Sequence, residues 1–335
     1  PTLRVMVTSR EKLDAPWEAV LSVSELSSRA SVALLMQAAQ HTFALDGPTP
    51  EGARAVEDIA RLLEGHPLSL ELAAAQLEMM APSQLYARLY SSVRPGGATN
   101  SPTLLGVLEN TIGHRVSPSA SVHASLQWSW SLLSEAEQSA LAQCAVFIDG
   151  FDVEAAEAIV NLDAFPAAPP VMVLLQTLRS KNLLRIRTPL PGCRRLSVPR
   201  MVGYFVLSHS DHATLNSIRH RMARHYAQMG TEVEIQHHQT GGVHGHRMAK
   251  LEIPNMQYGF DWAMEQQDTE LAGLLCLAIA ELLKRSGPYE DLTEMLRRIE
   301  TDLDANTPLL ARVILARGQL AANREGLDTA EELLL

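Results

Sequence analysis

Four histidines stand close together at His237, His238, His244 and His246, and neutral imidazole at such spacing can ligate zinc or nickel. No cysteine lies near them, and the glycines among them point to a surface loop, so no metal site is assigned. The three cysteines, Cys144, Cys193 and Cys276, are far apart and form no CxxC pair. That pattern speaks against a disulfide framework or a zinc site and fits a reducing, cytoplasmic setting. Serines and histidines are plentiful, but no nucleophile-elbow motif or Ser/His/Asp set emerges, and no catalytic residue is assigned. No Gly-Lys dipeptide occurs, so the chain lacks the glycine-rich loop that cradles phosphates and the lysine that reaches them. The run Cys144-Ala145-Val146-Phe147-Ile148-Asp149 imitates a magnesium-binding strand. It follows a capped helix and precedes Gly150-Phe151, so it reads as a helix end.

Ala and Leu dominate and only 5% of residues are aromatic, a mixture that favours packed helices. Leu3 to Thr8 reads as a buried strand, closed by Ser9-Arg10-Glu11. A core strand so near the first residue is the expectation for part of a longer protein. Helices are predicted over Ser27–Gln40, Thr49–Leu63 and Leu68–Met79, the second with Pro50 at its first position. Residues 91–103, rich in Gly, Pro, Ser and Thr, read as a linker. Val122–Leu133 is helical, and Ser134-Glu135-Ala136-Glu137 is a capping box for the next helix. Gly150 is expected to stop that helix, Asp152 to cap another, and Val171–Ser180 to follow. The period then changes to two. Leu183–Arg187 and Arg194–Val198 alternate like two short strands, so helices followed by a hairpin make a winged-helix arrangement. Beyond His212 the pattern is helical except for a His/Gly interlude at 237–246. Helices over 251–265, 269–284, 288–300 and 308–322 have the length and small-residue crossings of tetratricopeptide-like repeats. No apolar run is long enough for a bilayer.

Three segments in this order resemble the NB-ARC-like, or STAND-class, bacterial regulatory ATPases, of the multidomain transcriptional-regulator type. Leu3-Arg4-Val5-Met6-Val7-Thr8-Ser9-Arg10-Glu11 looks like the strand bearing the family's sensor arginine. Leu63-Glu64-Gly65-His66-Pro67-Leu68 is similar to its Gly-x-Pro segment. Ser125–Ser134 through Phe147-Ile148-Asp149-Gly150-Phe151 resembles the start of its winged helix. The resemblance implies that Arg10 meets the terminal phosphate of a nucleotide, and that Pro67 faces an adenine with Gly65 giving the backbone room. It places Pro199 and Arg200, within Val198-Pro199-Arg200, at the switch position where many relatives carry Met-His-Asp; Pro199 has no imidazole to offer a nucleotide. Outside the family setting, an arginine after a strand is ordinarily a solvated end, and Gly-x-Pro between helices a corner.

The resulting expectation is a mainly α chain. Residues 1–22 would be the C-terminal remnant of a P-loop α/β nucleotide-binding domain, 23–115 a helical domain, 116–212 a winged helix and 213–335 tetratricopeptide-like helical repeats. The Walker A and Walker B elements would precede it. The expected function is regulatory: part of a nucleotide-dependent signalling switch controlling transcription, with the repeats receiving a protein or small-molecule inducer. ATP or ADP with Mg belongs to the intact protein, for which slow ATP hydrolysis is compatible with the resemblance; no cofactor is expected on this chain alone. DNA contact would run through an output domain outside the chain, and no membrane is involved. Two other readings fit the same residues. One is a DNA-binding winged helix, the other a nucleotide-independent helical-repeat scaffold. The first draws on charge. Between Arg179 and Tyr226 ten Arg or Lys face one acid, so this segment carries +9 within a chain of net −10. Arg185, Arg187, Arg194 and Arg195 lie on the predicted wing, as phosphate contacts require. Against it, the candidate recognition helix begins Val171-Met172-Val173-Leu174-Leu175, too apolar to read base edges.

Overall fold

The computed structural model describes residues 5–9, 13, 15–21, 23–38, 49–77, 80–93, 118–240, 247–283, 287, 289–304 and 307–324. They are mainly helical, and the sheet among them is one two-stranded hairpin. None of these helices is long and apolar enough to cross a membrane. The chain divides into two compact units. The first holds 1–145, 162–185 and 198–209; the second holds 146–161, 186–197 and 210–335.

In the first unit, α1 (Ser28–Ala38), α2 (Pro50–Leu62), α3 (Pro67–Gln76) and α4 (Pro82–Val93) pack together. Leu35, Val56, Ile59, Leu70, Leu85 and Leu89 fill their core. The starts of these helices follow from local chemistry. Thr49 caps α2 by accepting from the Gly52 N–H at 3.1 Å, with Pro50 behind it, an arrangement that satisfies an otherwise orphaned amide. α5 (Pro118–Ser131) contacts α3, while α6 (Glu135–Cys144), α8 (Val171–Ser180) and α9 (Arg200–Ser208) form a second group. The capping box at α6 is present in both directions: Ser134 N–H donates to Glu137 at 2.7 Å, and Glu137 N–H to Ser134 Oγ at 3.3 Å. Lys181 closes the arrangement by pairing with Glu137 at 2.8 Å.

The second unit contains α7 (Val153–Ile159), capped by Asp152 accepting from the Ala155 N–H at 2.7 Å. It also contains most of the hairpin β1 (Arg185–Leu190) and β2 (Cys193–Ser197), whose turn places Gly192 at φ +79°. α10 (His212–Thr240), α11 (Ile253–Glu265), α12 (Thr269–Leu283), α13 (Glu290–Asp302) and α14 (Pro308–Arg324) pack each on its successors, as stacked helices do. Small residues set their spacing. A Cβ on Gly230 would lie 2.1 Å from Ala278 Cβ, and Gly259 lies against Ala223.

Several expectations need correction. Residues 5–9 form no strand, and Val5, Met6 and Val7 are exposed, Met6 at 93%. A strand must give its amides and carbonyls to a neighbouring strand, and the sheet among the described residues is β1 paired with β2. α6 ends at Cys144, six residues before Gly150; Gly150, at φ +82°, serves the antiparallel bridge between Phe151 and Leu196. The hairpin strands begin and end within three residues of their expected limits. α9 was not foreseen, and α10 runs on to Thr240, through the backbone of His237 and His238. His244, His246 and most of the 91–103 segment lie outside the described residues. Within residues 116–212, α6, α8 and α9 belong to the first compact unit and α7 with most of the hairpin to the second.

Candidate functional site

The chain reverses after α2 through Glu64 at φ +52° and Gly65 at φ +70°. Gly65 takes this left-handed region at little cost. It is also the residue the packing demands, since a Cβ there would sit 2.3 Å from the Leu26 carbonyl oxygen. In its place the Gly65 carbonyl accepts from the Leu26 N–H at 3.1 Å, which ties residues 25–27 to the corner. His66 then caps α3: its Nδ1 accepts from the Ser69 N–H at 3.3 Å. Pro67 is the first helical residue, where its missing N–H is no loss, and its ring is exposed.

A second segment comes to the same corner. Pro199, buried, stands at the start of α9 and offers no side-chain cap. Arg200 follows, and its backbone N–H and its Nε donate to the two Glu64 carboxylate oxygens, each at 3.2 Å. Beside it Arg185 pairs with Glu25. Glu25, Leu62, Glu64, His66, Arg185, Pro199 and Arg200 thus border one recess. The recess is shallow and open to solvent, with free room for about one water molecule. The recess perturbs its titratable groups. Burial, then the Arg185 charge, lower the His66 pKa against the opposing pull of Glu25. Burial pushes Tyr204, one turn along α9, up to about 12.

Of the residues expected at a nucleotide site, Gly65, Pro67, Pro199 and Arg200 are brought to one corner of the first unit, although Gly65 and Pro67 flank the recess while Glu64 and His66 border it. Arg10 lies outside the described residues. Glu25, Glu64, His66 and Arg185 were not foreseen as partners. The one local hint was Glu64, directly before a glycine that a tight reversal requires.

A second polar cluster is buried in the second unit. Arg195, 4% exposed, pairs with Glu252 through both of its terminal nitrogens and donates from Nη2 to the Gly150 carbonyl at 2.7 Å. Asn255 donates to the same carbonyl at 3.0 Å, to Glu252 at 2.9 Å and to Tyr226 Oη at 3.1 Å, and its Oδ1 accepts from the Ile148 N–H at 2.9 Å. Burial works to lower the Arg195 pKa, but the hydrogen bond and charge of Glu252 prevail and raise it. This cluster joins β2, the 148–150 loop and α10–α11; its side chains are buried and it reads as structural. Burial also drives the Cys144 and Cys276 thiols up to about 12, so neither is a ready nucleophile or metal ligand. Among the described residues, no group of three or more His, Cys, Asp or Glu could hold a metal ion.

No family model matches the chain. Over 163 residues it is 31% identical to an uncharacterized protein of Mycobacterium tuberculosis, a match covering 48% of this chain and 38% of that protein. Over 273 residues it is 26% identical to a longer protein of the same organism named "Putative HTH-type transcriptional regulator", covering 79% of this chain and 28% of the relative. Counterparts in Mycobacterium bovis match to the same extent. The chain spans well under half the length of either relative.

Proposed function

We propose that this chain is the regulatory body of a nucleotide-dependent transcriptional switch, and that the recess between residues 62–66 and 199–201 is one wall of its nucleotide site. The observation that carries the reading is the Glu64–Arg200 contact, which joins two segments 136 residues apart. These are the segments that the NB-ARC-like resemblance assigns to nucleotide recognition and to the switch. The likeness to a transcriptional regulator over 79% of the chain supports the regulatory class. So do the exposed Val5, Met6, Trp17, Leu21 and Val23, since apolar residues gathered in one segment invite a covering partner. On this reading a P-loop domain supplies the second wall with the phosphate loop and Mg, Arg10 reports the terminal phosphate, and the helices of the second unit receive the inducer.

Calorimetry with Mg-ATP and ADP tests the proposal. The intact longer protein is expected to bind both nucleotides, whereas this chain alone should show no micromolar affinity for either. In the intact protein, Arg10→Ala should weaken ATP more than ADP, because ADP has no terminal phosphate for it to meet. An intact protein blind to nucleotide would overturn the switch, and equal losses for ATP and ADP would reduce Arg10 to a structural residue.

A further inference from the structure

The recess presents two guanidiniums, and each is already engaged by a carboxylate of the same chain: Arg200 by Glu64 and Arg185 by Glu25. Two positive charges therefore face two negative ones, and the recess is close to neutral as it stands. Glu64 is the more telling partner. A non-glycine residue at φ +52° is uncommon and must be held by its surroundings. Helix-end hydrogen bonds fix that backbone, from the Glu64 N–H to the Arg61 carbonyl and from the Gly65 N–H to the Ala60 carbonyl, and they aim the side chain at Arg200, which meets one carboxylate oxygen with its Nε and the other with its backbone N–H. The pair is only half buried, with the arginine side chain 35% exposed, so water and solutes can reach it. A partly exposed ion pair of this kind is weak enough to exchange one anion for another.

We infer that Glu64 is an autoinhibitory stand-in for a ligand phosphate. Its carboxylate latches Arg200, and a diphosphate-bearing ligand engages that arginine only by displacing Glu64. A diphosphate suits the exchange because it carries at least two negative charges and accepts the planar, forked donors of arginine. When the ligand leaves, Glu64 closes back on Arg200 and the two segments return to the latched state. The inference rests on the reading of the recess as a nucleotide wall, but it concerns the phosphate end and assigns a role to a residue which that reading leaves idle.

Inorganic pyrophosphate titrated into the chain at low ionic strength is the test, read by calorimetry. Glu64→Gln keeps the size of the side chain and removes its charge, so it should bind pyrophosphate at least tenfold more tightly than the unaltered chain. Adding Arg200→Ala to that variant should abolish the gain. Glu64→Gly, which suits the left-handed backbone, provides a second route should the glutamine variant fold poorly, and the same gain is expected. Unchanged affinity in either folded variant would overturn the latch, as would a gain that survives the loss of Arg200. The nucleotide reading fails separately, through an intact protein that binds neither ATP nor ADP.

Discussion

His66 can cap α3 only while its Nδ1 keeps a lone pair for the Ser69 N–H. Burial and the neighbouring Arg185 both favour that neutral form and lower its pKa below the ordinary 6.5. The sign of the linkage follows. In the range below 6.5 the unfolded chain binds the proton that the folded chain refuses, so stability is fully present above 6.5 and is lost as pH falls through the folded value. A cap of this kind contributes about 1 kcal/mol. The urea midpoint should therefore fall between pH 7.5 and 5.5, and His66→Asn, a capping residue that does not titrate, should flatten that dependence. A variant with an unchanged pH profile would refute the assignment. Around this residue the sequence was partly legible. Pro67 at a helix start and Gly65 at a reversal are local facts, written in the φ values each residue permits. The Glu64–Arg200 and Glu25–Arg185 pairs are not local, and no periodicity links residues so far apart in the chain.

Elements whose ends are set by neighbours in sequence were the readable ones. Thr49-Pro50, Ser134 with Glu137 and Asp152 each begin the helix their chemistry announces, and the hairpin lies near its expected place because alternation and a glycine turn are short-range signals. α9 escaped notice because Val198-Pro199 reads as the end of a strand, and its cap comes from Glu64. Residues 5–8, the described part of the expected Leu3–Thr8 strand, form none, because pairing is a property of two segments and composition reports only one. The wing shows the same limit. Alternation along β2 turns Arg194 outward and Arg195 inward, whereas an arginine is ordinarily counted as exposed; the Glu252 carboxylate and the Gly150 carbonyl, both distant in sequence, make the inward position tolerable. Removing one member of a buried pair leaves the other charge uncompensated, at a cost of about 3–5 kcal/mol. Glu252→Ala is thus expected to lower the urea midpoint of the second unit sharply. Replacing Arg195 and Glu252 together by Met should be far milder, since two apolar groups leave no stranded charge. Equal losses in the single and double variants would show that packing, not charge, holds the wing.

At the scale of the whole chain the uneven charge now has an internal account. The segment from Arg179 to Tyr226 carries +9, yet Lys181 pairs with Glu137, Arg185 with Glu25, Arg187 with Asp149, Arg195 with Glu252 and Arg200 with Glu64. All five acids lie outside the segment, so half of its ten cations are met by the acidic remainder of the chain. Arg195, expected on the wing as a phosphate contact, is buried on its carboxylate. Arg179, Arg194 and Arg224 are exposed, and the solvent face of α8 offers Met172 and Val173 where a reading helix would carry hydrogen-bonding side chains. Three exposed cations outside these five ion pairs give weak attraction to any duplex, and counterion release sets how it fades: log affinity against log salt should fall with a slope of about −3. Random and genomic duplexes should therefore bind alike and be lost at physiological salt. Arg179→Ala with Arg194→Ala should shrink the slope to about −1 without changing preference among sequences. Submicromolar affinity for particular sequences at physiological salt, abolished by that pair, would make the wing and α8 a DNA reader and return the five internal ion pairs to the role of scaffolding.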